Sequence, residues 1–264
     1  MPAFFDTHTH TDFLLAQTGE SLVEFTLKCI KVDVFKVMLM GVHYDQFKNI
    51  IQLCHTNNTL FYYTLGLHPL YLKQHNLSDL EYLSALAQQD SKYCVGIGEI
   101  GLDKYIKELT DPIQWKLQCE YFNKQLQIAE KLKLPVSIHA RHCHNEIYSF
   151  IKKYNISGII HGFSGSYQEA KRYIDIGFSI GVGSTITYPR ATKTRTTISQ
   201  LPLDVMVLET DAPDMPLNHQ QGKPNHPANI PLIFDTLQSL VCVDPDLLKQ
   251  QLWYNSLKIF NIDN

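Results

Sequence analysis

Several things are missing from this sequence, and each absence removes a class of protein. No run of about 18 apolar residues occurs, so no membrane span is expected. The first residues, MPAFFDTHTH, carry no basic stretch leading into an apolar one, so no secretory signal is expected and the cytoplasm is the expected location. There is no C-x-x-C pair: Cys29, Cys54, Cys94, Cys119, Cys143 and Cys242 are scattered, which reads as reduced cysteine. A chain of 264 residues builds its core without disulfide staples. Basic excess is missing too, with a formal net charge of −3. That argues against broad binding of a polyanion, so a phosphate-bearing substrate would have to find its cations locally. No G-x-S-x-G and no G-x-x-x-x-G-K-[ST] occurs, which removes a nucleophile elbow and a P-loop. Neither internal repeats nor a Pro/Gly/Ser linker divides the chain, and residues 1–264 are expected to form a single domain.

What is present is an alternation. Short apolar, β-branched runs are separated by longer segments of helical period. The runs are AFFDTHTH, VFKVMLMGV, LFYYTLGLHP, YCVGIGEIGLD, LPVSIHAR, SGIIHGFS, FSIGVGS and DVMVLETDAP, eight in all. Between them, Asp111-Pro112 opens a long helix as N-cap and first helical residue. Ser166 and Glu169 form a capping box for a helix that should stop at Gly177. A second Asp-Pro start lies in DPDLLKQQLWYNSLKIF. Eight strands separated by helices predict a parallel α/β sheet with right-handed crossovers. A (β/α)8 TIM barrel suits both the count and the length; an open doubly wound sheet is the alternative.

The polar residues favour the barrel. The first strand ends in Asp6, His8 and His10, and the third in His68. The fourth carries Glu99 with Asp103 beyond it; the fifth ends in His139 and Arg141, the sixth in His161, and the eighth in Glu209 and Asp211. In a barrel these ends converge on one face. His8 and His10 are two apart on a strand and point to one side, so they can grip one metal ion. Two solvent-facing loop histidines would be the plainer reading of that pair alone. The same pattern at five further strand ends favours metal.

SIHARHCHNEI, at 137–147, crowds His139, His142, Cys143 and His144 together. Only His139 sits at the convergent end of its strand. His142, Cys143 and His144 follow it, where the next helix should begin, and none is expected to be a ligand. His43, His55, His75, His219 and His226 lack strand-end alignment and read as surface or loop histidines.

The motifs FDTHTHTDF, GLHP, GEIGLD, IHAR, HGFSGS and LETDAP resemble, in the same order, those of the TatD-related metal-dependent hydrolases, DNase-like members of the amidohydrolase superfamily. The likeness runs from residue 4 to the C-terminal helix. It implies a (β/α)8 barrel holding two divalent metal ions, with relatives carrying zinc, magnesium, manganese or nickel. By match to the motifs, His8, His10 and Asp211 bind the first ion, Glu99 bridges the pair, and His139 and His161 bind the second. Four histidines and two carboxylates form a mixed N/O set suited to transition metals rather than calcium. In many related barrels a carboxylated lysine bridges the ions; the fourth strand here offers Glu99 and no lysine.

The implied activity is metal-dependent hydrolysis of DNA phosphodiester bonds, with attack on strand ends as one form of it. Hydrolysis of a small-molecule phosphate ester, ester or cyclic amide is the alternative on the same scaffold. A third reading, a metal-holding interaction module without catalysis, is disfavoured by an intact candidate base. Asp211 is the candidate general base, since a carboxylate touching metal and water can take the proton. Glu209 would orient water or substrate, or else fix a neighbouring histidine. His68 would contact the scissile phosphate or leaving group, or else hold the loop before Pro69. Arg141, Arg190 and Arg195 are candidate phosphate binders, with Lys193 nearby and Arg141 first among them. Tyr188 and Phe163 would stack on a base or simply pack. In HGFSGS, Ser164, Gly165 and Ser166 suggest an anion-binding turn, but Ser166 is already claimed as the helix cap.

Overall fold

Residues 3–263 are described by the computed structural model. The apolar runs become β1 (Phe4–Thr9), β2 (Val34–Met40), β3 (Phe61–Leu65), β4 (Cys94–Asp103), β5 (Val136–Arg141), β6 (Gly158–Ile160), β7 (Phe178–Val182) and β8 (Met206–Leu208). All neighbouring pairs are parallel, and the sheet follows chain order from β1 to β8. Its two edges meet through a parallel bridge between Thr9 and Ala212. His10 N donates to Ala212 O (2.7 Å), Asp211 N to His8 O (2.9 Å), and Thr7 Oγ1 to Leu208 O (2.8 Å). The sheet is therefore a nearly closed (β/α)8 barrel rather than an open doubly wound sheet.

The helices between the strands are α1 (Thr11–Thr18), α2 (Leu22–Lys31), α3 (Phe47–Thr56), α4 (Leu77–Gln89), α5 (Pro112–Leu132), α6 (His144–Ile151), α7 (Tyr167–Ile174) and α8 (Thr192–Ser199), and α9 (Ile230–Val241) and α10 (Pro245–Ile259) follow β8. Among the described residues no helix is long and apolar enough to cross a membrane. Alternation along the strands sorts the core into two layers. Phe4, Val37 and Leu39 face outward and pack with the helices. Phe5, Met38, Met40, Val95, Ile159 and Val207 fill the interior and rest on Leu257 and Phe260 near the end of the chain.

Local signals act as expected at several helix starts. Asp111 accepts from Ile113 N and Gln114 N at 2.8 and 3.2 Å, Asp244 caps α10, and Ser166 with Glu169 closes a capping box on α7. Some boundaries differ. The first strand stops at Thr9, and His10 stands at the N-cap position of α1 without a side-chain capping bond. The sixth and eighth strands keep only three residues each, so His161, Glu209 and Asp211 lie just beyond the ladder. There the chain turns out of strand geometry: Gly162 and Asp211 have φ of 55° and 59°. α7 ends at Ile174, and Gly177 (φ 87°) serves the turn into β7 instead.

Candidate metal centre

Glu99 stands at the centre of the barrel mouth, 3% exposed. Its two oxygens face different partners. Oε2 lies 3.4 Å from His8 Nε2 and 3.3 Å from His10 Nε2. Asp211 Oδ1 lies 3.5 and 3.4 Å from the same two nitrogens. Oε1 lies 2.8 Å from His161 Nε2, 3.2 Å from His139 Nδ1 and 3.1 Å from His68 Nε2. β1, β4, β5 and the turns after β3, β6 and β8 thus deliver one or two side chains each to a single point.

These spacings fit a metal. Ligands about 2.0–2.1 Å from a zinc-sized ion at the tetrahedral angle stand about 3.3–3.4 Å apart. The four contacts among His8, His10, Glu99 and Asp211 span 3.3–3.5 Å. His8 Nε2 is buried and, among the described residues, has no hydrogen-bond partner. Three groups of potential ligand atoms emerge: His8, His10 and Asp211; His8, Glu99 and His161; His68, Glu99 and His139.

The outer ring nitrogens separate ligands from donors. His8 Nδ1 is 3.1 Å from Ser137 Oγ, and His139 Nε2 is 3.0 Å from Asp103 Oδ2. Each outer nitrogen can donate, leaving the inward one with a free lone pair for a metal. His68 is the reverse. Its Nδ1 accepts from Leu70 N at 3.1 Å, so neutral His68 carries its proton on Nε2, toward Glu99. His68 is therefore built as a donor, although its distances alone would admit it as a ligand.

Charge follows the same geometry. Burial pushes the Glu99 carboxyl up, but His68, His161 and His8 outweigh it and hold it well below the usual range. Burial likewise opposes ionisation of Asp211, and His10, His161 and His8 prevail and hold it down. Burial, with His161 adding to it, pushes His8 down to about 4. Burial would lower His161 as well, yet Glu99 lifts it to about 9. Glu209 behaves differently: burial raises its carboxyl to about 8. Its Oε1 accepts from Gly162 N at 2.5 Å and lies 3.9 Å from His161 Nδ1. Gly181 makes room for it, since a Cβ there would stand 2.3 Å from Oε2. Gly101 of GEIGLD is required in the same sense: its φ is 150°, and a Cβ would lie 2.0 Å from His139 O.

Above the cluster opens a cavity of about 1030 Å³. Arg141 and Lys193 line it, and Phe13, Leu70 and Met215 supply apolar wall. Arg190 and Arg195 are absent from its lining. Arg190 sits 5.3 Å over the Tyr188 ring, and Arg195 Nη1 donates to Ile186 O at 2.5 Å. Tyr188 Oη is spent on Pro216 O (2.7 Å), and Phe163 is 2% exposed. Ser164 and Gly165 do line the cavity.

Cys143 is buried, with Sγ donating to Leu102 O at 3.0 Å; His142 is exposed at the cavity wall; His144 Nδ1 meets Tyr173 Oη at 3.1 Å. None of the three joins a ligand group among the described residues. The remaining histidines divide. His219 and His55 are exposed, the latter on α3, and His43, His75 and His226 lie in loops, the last two partly or wholly buried. His75 is 8% exposed, and the His226 side chain is 14% exposed against Glu20. Asp103, noted only as lying past Glu99, holds His139. Asp6 also faces away from the ligands: it accepts from Thr210 N and Oγ1 at 3.0 and 2.5 Å, and burial raises it to about 7.

Comparison with known proteins places the whole chain in one family. A family model for TatD-related DNases matches residues 5–261. A Haemophilus influenzae protein described as an uncharacterized metal-dependent hydrolase is 43% identical over 260 residues, covering 98% of this chain and 99% of its own. The crystal structure of YjjV, a TatD homologue from Escherichia coli K12, superposes with a TM-score of 0.92 at 36% identity, covering 98% of both chains. Schizosaccharomyces pombe deoxyribonuclease Tat-D is 27% identical, covering 87% of this chain and 84% of its own.

Proposed function

The chain belongs to the TatD-related DNase family and is a metal-dependent hydrolase of that family, and from this premise we propose that it cleaves DNA phosphodiester bonds around a pair of divalent ions. The division of six side chains between the two oxygens of Glu99 carries the reading. His8, His10 and Asp211 would hold one ion on the Oε2 side, and His139 and His161 the other on the Oε1 side, with Glu99 common to both. Such a pair supplies Lewis acidity and a water acidic enough to ionise near neutrality.

The protein's own groups do the rest. Asp211, ionised and 18% exposed at its side chain, takes a proton from the attacking water. His68, whose one ring proton on Nε2 faces Glu99 Oε1 at 3.1 Å, would turn that proton from Glu99 to the phosphate or the leaving oxygen. Glu209, with Oε1 3.9 Å from His161 Nδ1, would orient water or substrate, or else help fix His161. Arg141 and Lys193 meet the phosphate backbone at the cavity wall. The distant kinship to a deoxyribonuclease supports DNA as substrate.

The test is degradation of single-stranded DNA, labelled at either end, with zinc, magnesium, manganese or nickel supplied. Turnover is expected, and Asp211→Asn should lower it by about 10²–10⁴-fold. His139→Ala should lose one ion by elemental analysis, whereas Cys143→Ala keeps both. If no metal supports cleavage, or Asp211→Asn is as active as the parent, the reading is wrong. The net charge of −3 supports a second reading, hydrolysis of a small phosphate ester, ester or cyclic amide at the same ions. A panel of nucleotides, phosphate esters and cyclic amides separates the two.

A further inference from the structure

The loop after β4 and the end of β5 are tied together more closely than a crossing of two strands requires. Asp103 and Arg141 are register partners, and Lys104 N donates to Arg141 O at 2.9 Å. Asp103 then uses both carboxylate oxygens. Oδ2 is 3.0 Å from His139 Nε2, and Oδ1 accepts from Tyr105 N and Ile106 N at 2.7 and 3.0 Å. The second pair of bonds fixes the backbone that carries Tyr105. The Tyr105 ring, 56% exposed, lies under the Arg141 guanidinium with 3.8 Å from Cζ to the ring centroid.

The surrounding charges show why this matters. Lys104 is paired with Glu146 and also sits over Trp115. Lys193 Nζ stands 3.9 Å from Glu169. Arg141 lines the cavity and, among the described residues, forms no ion pair with a carboxylate. A ring face steadies a guanidinium without neutralising it, and it leaves all five N–H groups free to meet an anion.

We infer that Tyr105 is a positioning residue: hung from Asp103, it holds the Arg141 guanidinium at the cavity wall as the anchor for a substrate phosphate. Because Asp103 also holds His139, one carboxylate sets the phosphate anchor and a candidate metal ligand at a fixed distance from each other. The inference rests on the phosphate-handling part of the proposed function, but not on DNA being the substrate.

A double-mutant cycle tests it with the metal-loaded protein and inorganic phosphate as probe, read by calorimetry. Arg141→Ala should weaken phosphate binding on the order of tenfold or more, the loss of a charge-assisted contact. Tyr105→Leu, which keeps apolar bulk but removes the ring face, should weaken it about 2- to 5-fold. Tyr105→Phe should bind like the parent, since the ring and not the hydroxyl does the work. In the Arg141→Ala background, Tyr105→Leu should have no further effect. Metal content should be unchanged in all of them, and any KM for a phosphate-bearing substrate should rise while kcat holds. Additive losses, a failure of Tyr105→Phe to match the parent, or no phosphate binding by the parent each overturn the inference. Coupled losses in a protein that degrades no DNA uphold it while the nuclease reading falls. DNA cleavage insensitive to both positions does the opposite.

Discussion

Single residues explain which parts of the centre could be read in advance. His8, His10, His139, His161 and Asp211 each stand near or just past a strand end, Glu99 stands inside the long β4, and the convergence of the strands brings them together. The roles of Asp103 and Asp6 depend on backbone N–H groups and threonine hydroxyls whose positions no spacing rule gives. The same is true of the donor state of His68, set by Leu70 N. His75 was hidden for another reason: a lone loop histidine carries no sign of burial. Its Nε2 lies 2.9 Å from His68 O, closing the turn that His68 opens, and burial lowers it from 6.5 to about 4. A histidine less basic when folded than when unfolded takes up its proton preferentially in the unfolded chain. Its contribution to stability is then whole above pH 6.5 and lost as the pH falls from 6.5 toward 4. Chemical denaturation across that window, with chelator present, should show the parent losing about 1–2 kcal/mol more than His75→Gln, whose amide can still donate to His68 O. Parallel curves for the two proteins would mean that His75 is not held neutral by the fold.

At the scale of elements, α5 does more than cross from β4 to β5. Gln118 and Gln125 are seven apart, so both fall on the buried face of the helix. Gln118 Oε1 accepts from Asp103 N at 2.9 Å, at the end of β4. Gln125 grips Leu67 on both sides, accepting from its N at 2.7 Å and donating to its O at 3.1 Å, immediately before His68. One helix thus sets the height of two loops that carry groups of the centre. The sequence shows α5 clearly, through Asp111, Pro112 and its length, but two glutamines in an otherwise mixed helix look like solvent-facing residues. Gln125→Leu keeps much of the volume and strands both polar groups of Leu67. It should cost about 1–3 kcal/mol of stability. The matching solvent-face change, Gln127→Leu, should cost almost nothing. Equal effects in thermal or urea unfolding would remove α5 from its positioning role.

For the whole molecule, the seam of the barrel and the metal centre are the same place. Eight strands in chain order were legible from alternation and the barrel from the polar residues at their ends, but the bonds that close it were not, because β8 is three residues long and meets β1 through a few bonds between 7–10 and 208–212. Those bonds place Asp211 against His8 and His10, so the ladder is interrupted where ligands are needed. The net charge is −3, and among the described residues only Arg141 and Lys193 are lysine or arginine lining of the cavity, so a polyanion finds few cations there. This limits how DNA can be held. Each phosphate neutralised on a single strand contributes about 0.7 to the slope of log affinity against log salt. At saturating metal, KM for single-stranded DNA should therefore rise with salt at a slope of about 0.7–1.4, one or two phosphates' worth. Arg141→Ala should flatten it by about 0.7, whereas Arg190→Ala, outside the cavity, should leave it unchanged. A slope steeper than about 3 would require an extended basic track, and the binding of DNA would then have to lie on a surface other than this cavity.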